Sequence, residues 1–202
     1  NEKFYFYTMS IKLQQSENVQ TFFCTFTWKN LLHLFEITNL YGEIYKWFNI
    51  LTERRNEIEA FVIMPNHLHL LIFVNEKDNI NMLLANGKRF LAYEIVKRLE
   101  SQQQYEILKQ LQLAVTAKEK ERKKMHRVFE VSSDIKPCYT EKFLLQKLNY
   151  MHNNPVNSKW KLASLPEEYF HSSAAFYILN KEHEFVRLTH WKDVGSFNAS
   201  SA

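Results

Sequence analysis

Apolar and polar residues follow two different periods along this chain, and the period decides the element at each point. Thr21 to Trp28 reads TFFCTFTW, a run of β-branched and aromatic side chains that predicts a strand. From Leu40 to Arg55 the apolar residues Leu40, Ile44, Trp47, Phe48 and Leu51 recur at helical spacing. Ile58 to Met64 and His67 to Val74 are strand-like runs separated by the turn formers Pro65 and Asn66, so residues 58–74 read as a hairpin.

A long helical stretch follows. Ile80 to Leu99 carries Met82, Leu83, Phe90, Leu91, Ile95 and Leu99 on a helical period, with Gly87 as a candidate bend. A polar connection at 101–104 leads to more helix-like sequence through about Ala117. Lys118 to Arg127 reads KEKERKKMHR, which is either a solvated face or a surface that follows a phosphate backbone. Val128 to Val131 reads as a short strand. Thr140 suits the N-cap of a helix from Glu141 to about Asn153, and Pro155 ends that helix because the residue before a proline avoids helical geometry. A short helix is expected within 166–177, and the polar tail after Asn180 is expected to be peripheral. The domain reading is therefore one domain over 1–180, with a long helical insertion at about 80–125, and a tail at 181–202.

Composition sharpens this in a few places. Aromatics make up 15% of the 202 residues, ample material for one core. The three glycines are too few and too scattered for a Gly-rich phosphate loop. A formal charge of +4 permits a polyanionic partner without requiring one. Cys24 and Cys138 lie far apart in no metal-type spacing and read as reduced and structural, which suits a cytoplasmic protein. No apolar run approaches the roughly 20 residues of a membrane span, and Asn1, Glu2 and Lys3 open no signal-peptide pattern.

The candidate chemistry sits in two places. On a strand, His67 and His69 share a face while Leu68 points to the other, and two neighbouring neutral imidazoles can hold one divalent metal. On the helix from Glu141, Tyr150 and Asn154 are four residues apart and stack on one face, with Phe143 and Lys147 beside them. Leu144, Leu148 and Met151 form the buried face. Together these supply what phosphodiester transfer needs: a hydroxyl nucleophile, a metal to neutralise phosphate charge, and a polar group to complete its shell. His67, His69 and the amide oxygen of Asn154 would leave positions open, and mixed nitrogen and oxygen ligation suits Mg²⁺ or Mn²⁺.

These residues resemble a known family. FVIMPNHLHLLIFV (61–74) resembles the histidine hairpin of single-tyrosine HUH transposases, and QKLNYMHNNPVNSKW (146–160) resembles the tyrosine helix of their REP-associated branch. That branch commonly carries a YIHxNPV-type string followed by PEDY…SSA…Y; here these read YMHNNPV (150–156) and PEEYFHSSAAFY (166–177). The match spans about residues 20–178. It departs from the pattern at Leu91 and Ala92, where the family is polar, and at Phe129-Glu130, where a tryptophan is usual.

The resemblance implies an α+β fold: an antiparallel sheet of ferredoxin-like or RRM-like type with helices packed on one side. It implies His67 and His69 as metal ligands, Asn154 as the third, Tyr150 as nucleophile, and single-stranded or hairpin DNA as substrate. Tyr150 would attack a phosphodiester, keep the 5′ phosphate and release a 3′ hydroxyl, and a second 3′ hydroxyl would rejoin the strand. Lys88, Arg89, Lys97, Arg98 and Lys147 are the candidate DNA contacts. The protein would act as a monomer or homodimer in the bacterial cytoplasm, associated with the nucleoid when on DNA. The rival readings are a metal-dependent hydrolase with no covalent step and a catalytically silent DNA-binding relative.

Overall fold

Four antiparallel strands form the centre of the structure, a computed structural model that describes residues 19–28, 32–130 and 134–194. They are β1 (Thr21–Thr27), β2 (Glu57–Met64), β3 (His67–Phe73) and β4 (Asp134–Pro137), in the order β2-β3-β1-β4. Helices α1 (Leu34–Thr38) and α2 (Tyr41–Glu53) connect β1 to β2. Helix α3 (Ile80–Ser101), followed by α4 (Tyr105–Leu113) and α5 (Ala117–Glu121), connects β3 to β4. This is the β-α-β-β-α-β arrangement of the ferredoxin-like fold. Helix α6 (Glu141–His152), a 3-10 turn at Pro166–Glu168 and α7 (Ala174–Leu179) follow. No helix among the described residues is long and apolar enough to cross a membrane.

The period-2 alternation of β1 and β3 sorts their side chains onto two faces, and each face has its own core. Phe22, Phe26, Leu68 and Leu70 point to one side, where Ile44, Trp47 and Phe48 of α2 and Leu91 and Ile95 of α3 cover them. Phe23, Val62 and Leu71 point to the other, against Leu144, Leu148 and Met151 of α6. Helices thus cover both faces, which corrects the one-sided packing expected from the resemblance. The buried triad on α6 needs an apolar partner, and the second face of the sheet supplies it.

A β-bulge at Glu59 keeps β2 in step with this sorting. Ile58 pairs with Ile72 and Ala60 with Leu71, so Glu59 is the extra residue. The bulge turns Ile58 to the first core and Ala60 to the second.

β2 is an edge strand, and residues 171–173 cover it: Ile63 N donates to His171 O (2.8 Å) and Ser173 N to Phe61 O (2.9 Å).

Several sequence expectations change. Gly87 marks no bend; α3 runs unbroken past it, and the missing Cβ makes room for Trp47 of α2. The span 80–125 is no appended insertion, because α3 is the second crossover helix and Leu108 and Leu111 of α4 join the first core. Only residues 118–121 of the basic run lie in α5, capped by Thr116; the rest is turn and coil, with Glu119 paired to Lys124 and Arg127. In place of a strand at 128–131 there is a single bridge between Trp28 and Phe129, and Val131 lies outside the described residues. The segment 181–194 is not peripheral: Val186 and Leu188 are buried in the first core and Trp191 in the second. Thr189 fixes this segment to the start of β2, with its N–H on Ile58 O (3.0 Å) and its hydroxyl on Glu57 Oε2 (2.7 Å). Residues 1–18 and 195–202 lie outside the described residues.

Candidate active site

The strand register puts His67 opposite Thr27 and His69 opposite Thr25 of β1, with both imidazoles on the face that α6 covers. Their ring centroids are 4.8 Å apart. His67 Nδ1–H donates to the side-chain oxygen of Asn66 (2.7 Å), which leaves the Nε2 lone pair facing outward from that bond. His69 Nδ1 lies 3.0 Å from the Thr25 hydroxyl, while its Nε2 is buried with no hydrogen-bond partner. A buried polar atom left bare costs about 1–3 kcal/mol, so this nitrogen is poised for a ligand. Burial lowers the His67 pKa to about 4, helped by the Lys159 charge. Burial, then His67 and Lys147, lower that of His69 to about 3. Both rings are therefore neutral at physiological pH, the form that can donate a lone pair to a metal.

Helix α6 brings the tyrosine to this pair. Thr140 caps it by accepting from Phe143 N (3.2 Å), and Leu144, Leu148 and Met151 anchor its buried face. Tyr150 lies on the opposite side, 53% exposed. Its ring centroid is 5.3 Å from that of His69 at an interplanar angle of 66°. One turn earlier, Lys147 holds its ammonium over Phe23 (5.1 Å), Phe143 (5.2 Å) and the Tyr150 ring itself (5.8 Å). A positive charge is thus fixed beside an exposed phenol.

Asn154 closes the site. The helix ends at His152 with Asn153 as C-cap, and Asn153 turns its amide back onto Asn149. Asn154 is buried, and its amide lies 3.2 Å from His67 Nε2. Asn157 donates to the other end of that amide (3.3 Å). Turning the amide over exchanges nitrogen for oxygen and presents Oδ1 toward the imidazoles. No group of three His, Cys, Asp or Glu that could hold a metal occurs among the described residues. Two imidazole nitrogens and one amide oxygen are the available donors, and the bare His69 Nε2 fits such a use.

The expected DNA contacts on α3 scatter. Lys88 packs its ammonium over Phe26 (5.4 Å) and Phe129 (5.7 Å) and donates to Glu130 O (3.2 Å), and burial pushes its pKa down to about 8. Arg89 hydrogen-bonds Asn86 and, with Lys88, lines a 560 Å³ cavity beside Phe129. Lys97 is exposed. Arg98 corrects the sequence reading: it donates to Thr38 O (3.0 Å), Asn39 O (2.7 Å) and Glu43 Oε1 (2.9 Å). Its guanidinium therefore satisfies carbonyls at the end of α1 and ties that helix to α2 and α3.

Sequence reasoning missed Thr25, Asn157 and Trp160 as neighbours of the site. Trp160 has its ring 5.9 Å from that of His67. Nothing short of the strand register and the turn after α6 would have singled them out. His152 stays outside the site, with Nε2 2.8 Å from the Ser173 hydroxyl. The 166–177 string is a strap: Tyr169 donates to Ile63 O (2.8 Å) and Tyr177 to Glu59 O (2.9 Å).

No protein-family model matches the chain, and no curated protein matches it. Among solved structures, a REP-associated tyrosine transposase bound to a REP hairpin is similar, with a TM-score of 0.56 and 12% identity over 90% of this chain and 99% of that one. A candidate transposase from Deinococcus radiodurans R1 gives a TM-score of 0.41 at 17% identity, over 70% of this chain and 95% of that one. The four-stranded antiparallel sheet and its helices are shared with the first of these across nearly the whole chain, so this protein has the α+β fold of a REP-associated tyrosine transposase.

Proposed function

We propose that this protein is a single-tyrosine HUH transposase that cuts and rejoins single-stranded DNA through a covalent bond to Tyr150. The observation that carries the reading is the approach of the Tyr150 ring to His69, 5.3 Å between centroids, beside an imidazole nitrogen with no partner. His67, His69 and Asn154 would hold Mg²⁺ or Mn²⁺. When bound, the cation would neutralise charge on the non-bridging phosphate oxygens.

The remaining chemistry belongs to the chain. Tyr150 gives its hydroxyl proton to solvent and attacks phosphorus. A new bond forms between the phenolic oxygen and phosphorus as the bond to the 3′ oxygen breaks. That oxygen takes up a proton and leaves as a 3′ hydroxyl, with the 5′ phosphate on Tyr150. A phenolate is a better leaving group than an alkoxide, so a second 3′ hydroxyl can reverse the step and rejoin the strand. Lys147 adds a positive charge next to the phenol, which would favour a phosphate bound there.

The histidines, the asparagine and the tyrosine come together within one chain, which supports a reaction carried out by a monomer. Hairpin DNA is the proposed substrate, supported by the hairpin on the structural relative at the same fold. Incubating the protein with end-labelled hairpin oligonucleotides and Mn²⁺ or Mg²⁺, then running a denaturing gel, tests the reading. A slow-migrating covalent adduct is the expected result. Cleavage without an adduct would indicate a metal-dependent hydrolase, and binding without cleavage a silent DNA-binding protein.

A further inference from the structure

The turn after α6 decides which end of the Asn154 amide faces the imidazoles. Beyond Pro155 the chain folds back on Asn157, whose backbone oxygen accepts from Trp160 N (3.1 Å) and Lys161 N (3.1 Å). The side chain of Asn157 serves the same turn. Its Oδ1 accepts from Lys159 N (3.0 Å) and Trp160 N (3.2 Å), the local bonding by which asparagine shapes turns. Trp160 is partly buried against the second core, which keeps the turn in place.

A side-chain amide has an accepting end and a donating end. With Oδ1 committed to the turn, Asn157 offers Asn154 its Nδ2, which lies 3.3 Å from Asn154 Oδ1. Asn154 therefore turns its own Nδ2 to His67 and donates to Nε2 (3.2 Å). His67 Nε2 can accept there because Nδ1 carries the proton and donates to the Asn66 side-chain oxygen (2.7 Å). From Asn157 through Asn154 and His67 to Asn66, each donor meets an acceptor.

A divalent cation needs the opposite arrangement, with one lone pair from His67 Nε2 and another from Asn154 Oδ1. Turning the Asn154 amide over supplies both. It also brings Asn154 Nδ2 against Asn157 Nδ2, two donors face to face. Asn157 can follow only by giving up its bonds to Lys159 N and Trp160 N. Nothing comparable holds His69, whose Nε2 has no partner.

We infer that Asn157 is a positioning residue that holds the Asn154 amide turned against cation binding, so that the site takes Mg²⁺ or Mn²⁺ more weakly than its three donors allow. The inference rests on the reading of His67, His69 and Asn154 as ligands and adds to it the residue that sets their affinity. The test is calorimetric titration of the full chain with Mn²⁺, with thermal melts in chelator to show that each variant folds. Asn157→Ser keeps an oxygen for the turn and drops the amide donor. Asn157→Asp keeps the turn and offers Asn154 an acceptor, which swings Asn154 Oδ1 toward the imidazoles. Both are expected to tighten the Mn²⁺ Kd about tenfold, the relief of one donor–donor contact, and to lose that gain when combined with Asn154→Ala. Nitrogen NMR of wild type in chelator is expected to find the His67 proton on Nδ1. Wild-type affinity in Asn157→Ser overturns the inference even if Asn157→Asp binds more tightly, since a carboxylate attracts a cation by charge alone. So does a gain in Asn157→Asp that survives intact with Asn154→Ala, or a His67 proton on Nε2. Should wild type still bind Mn²⁺ and His67→Ala fail to, only the role of Asn157 is lost. Should wild type bind no Mn²⁺, the ligand reading falls together with it.

Discussion

Tyr150 and His69 meet ring to ring, 5.3 Å apart at 66°, from a helix and a strand that the second core of the sheet holds together. His69 Nε2 is bare in that setting. A divalent cation bound there stabilises the folded state, by about 2.7 kcal/mol at a hundredfold excess over its Kd. Thermal melts of wild type should therefore shift upward with Mn²⁺, and those of His67→Ala and His69→Ala should stay flat. Equal shifts in all three proteins would remove these histidines as ligands.

Glu59 gives a pH prediction. Burial holds its carboxyl protonated, with a pKa pushed up to about 8, against a small opposing effect of the Thr21 hydroxyl. A pKa raised in the fold favours the native state most below the ordinary carboxylate range. Between about pH 4 and pH 8 the unfolded chain has lost the proton and the fold retains it, so this group costs about 1.4 kcal/mol per pH unit. Glu59→Gln removes that slope. By chemical denaturation the variant should be more stable than wild type by about 3 to 4 kcal/mol at pH 7, with little difference at pH 4. A gap that does not change with pH would show that Glu59 ionises normally.

Arg98 and Lys147 should separate cleanly. Arg98→Ala removes charged hydrogen bonds to Thr38 O, Asn39 O and Glu43 and should cost about 1–3 kcal/mol of stability, with hairpin affinity unchanged. Lys147→Met keeps an apolar stem near Phe23 and Phe143 and removes the charge. It should leave stability near wild type and reduce the salt dependence of DNA binding by about one phosphate contact. A DNA-binding defect in Arg98→Ala at full stability would reverse this assignment.

Gly87 marks the closest approach of α3 to α2. A Cβ there would overlap the Trp47 indole, which is buried and cannot swing away. Gly87→Ala should therefore destabilise the protein by about 1–3 kcal/mol through overpacking, despite the gain in helix propensity. A raised melting temperature would mean that the two helices separate easily.

Much of this site was legible because it lies on regular elements. Alternation on β3 fixes the shared face of His67 and His69, and the buried triad on α6 fixes the exposed side for Tyr150. Asn154 stands beyond the last turn of α6, where periodicity stops informing, and its burial beside His67 comes from the turn that follows the helix. Arg98 was misread because charge on a helix looks the same in sequence whether it faces solvent or a neighbour's carbonyls. β4 went unseen for a similar reason: Asp134 to Pro137 has no strand pattern of its own and is extended because β1 offers it a free edge. The packing of 181–194 hangs on Val186, Leu188 and Trp191, too sparse and irregular to announce themselves in a polar tail.

The most direct measurement is the identity of the residue that carries the DNA. Wild type and Tyr150→Phe are incubated with a labelled hairpin and Mn²⁺, digested, and the nucleotide-bearing peptide is sequenced by mass spectrometry. The account predicts a 5′-phosphotyrosine on Tyr150 in wild type and no adduct in the variant, which should still bind the hairpin. An adduct on any other residue, or one that persists in Tyr150→Phe, would contradict it.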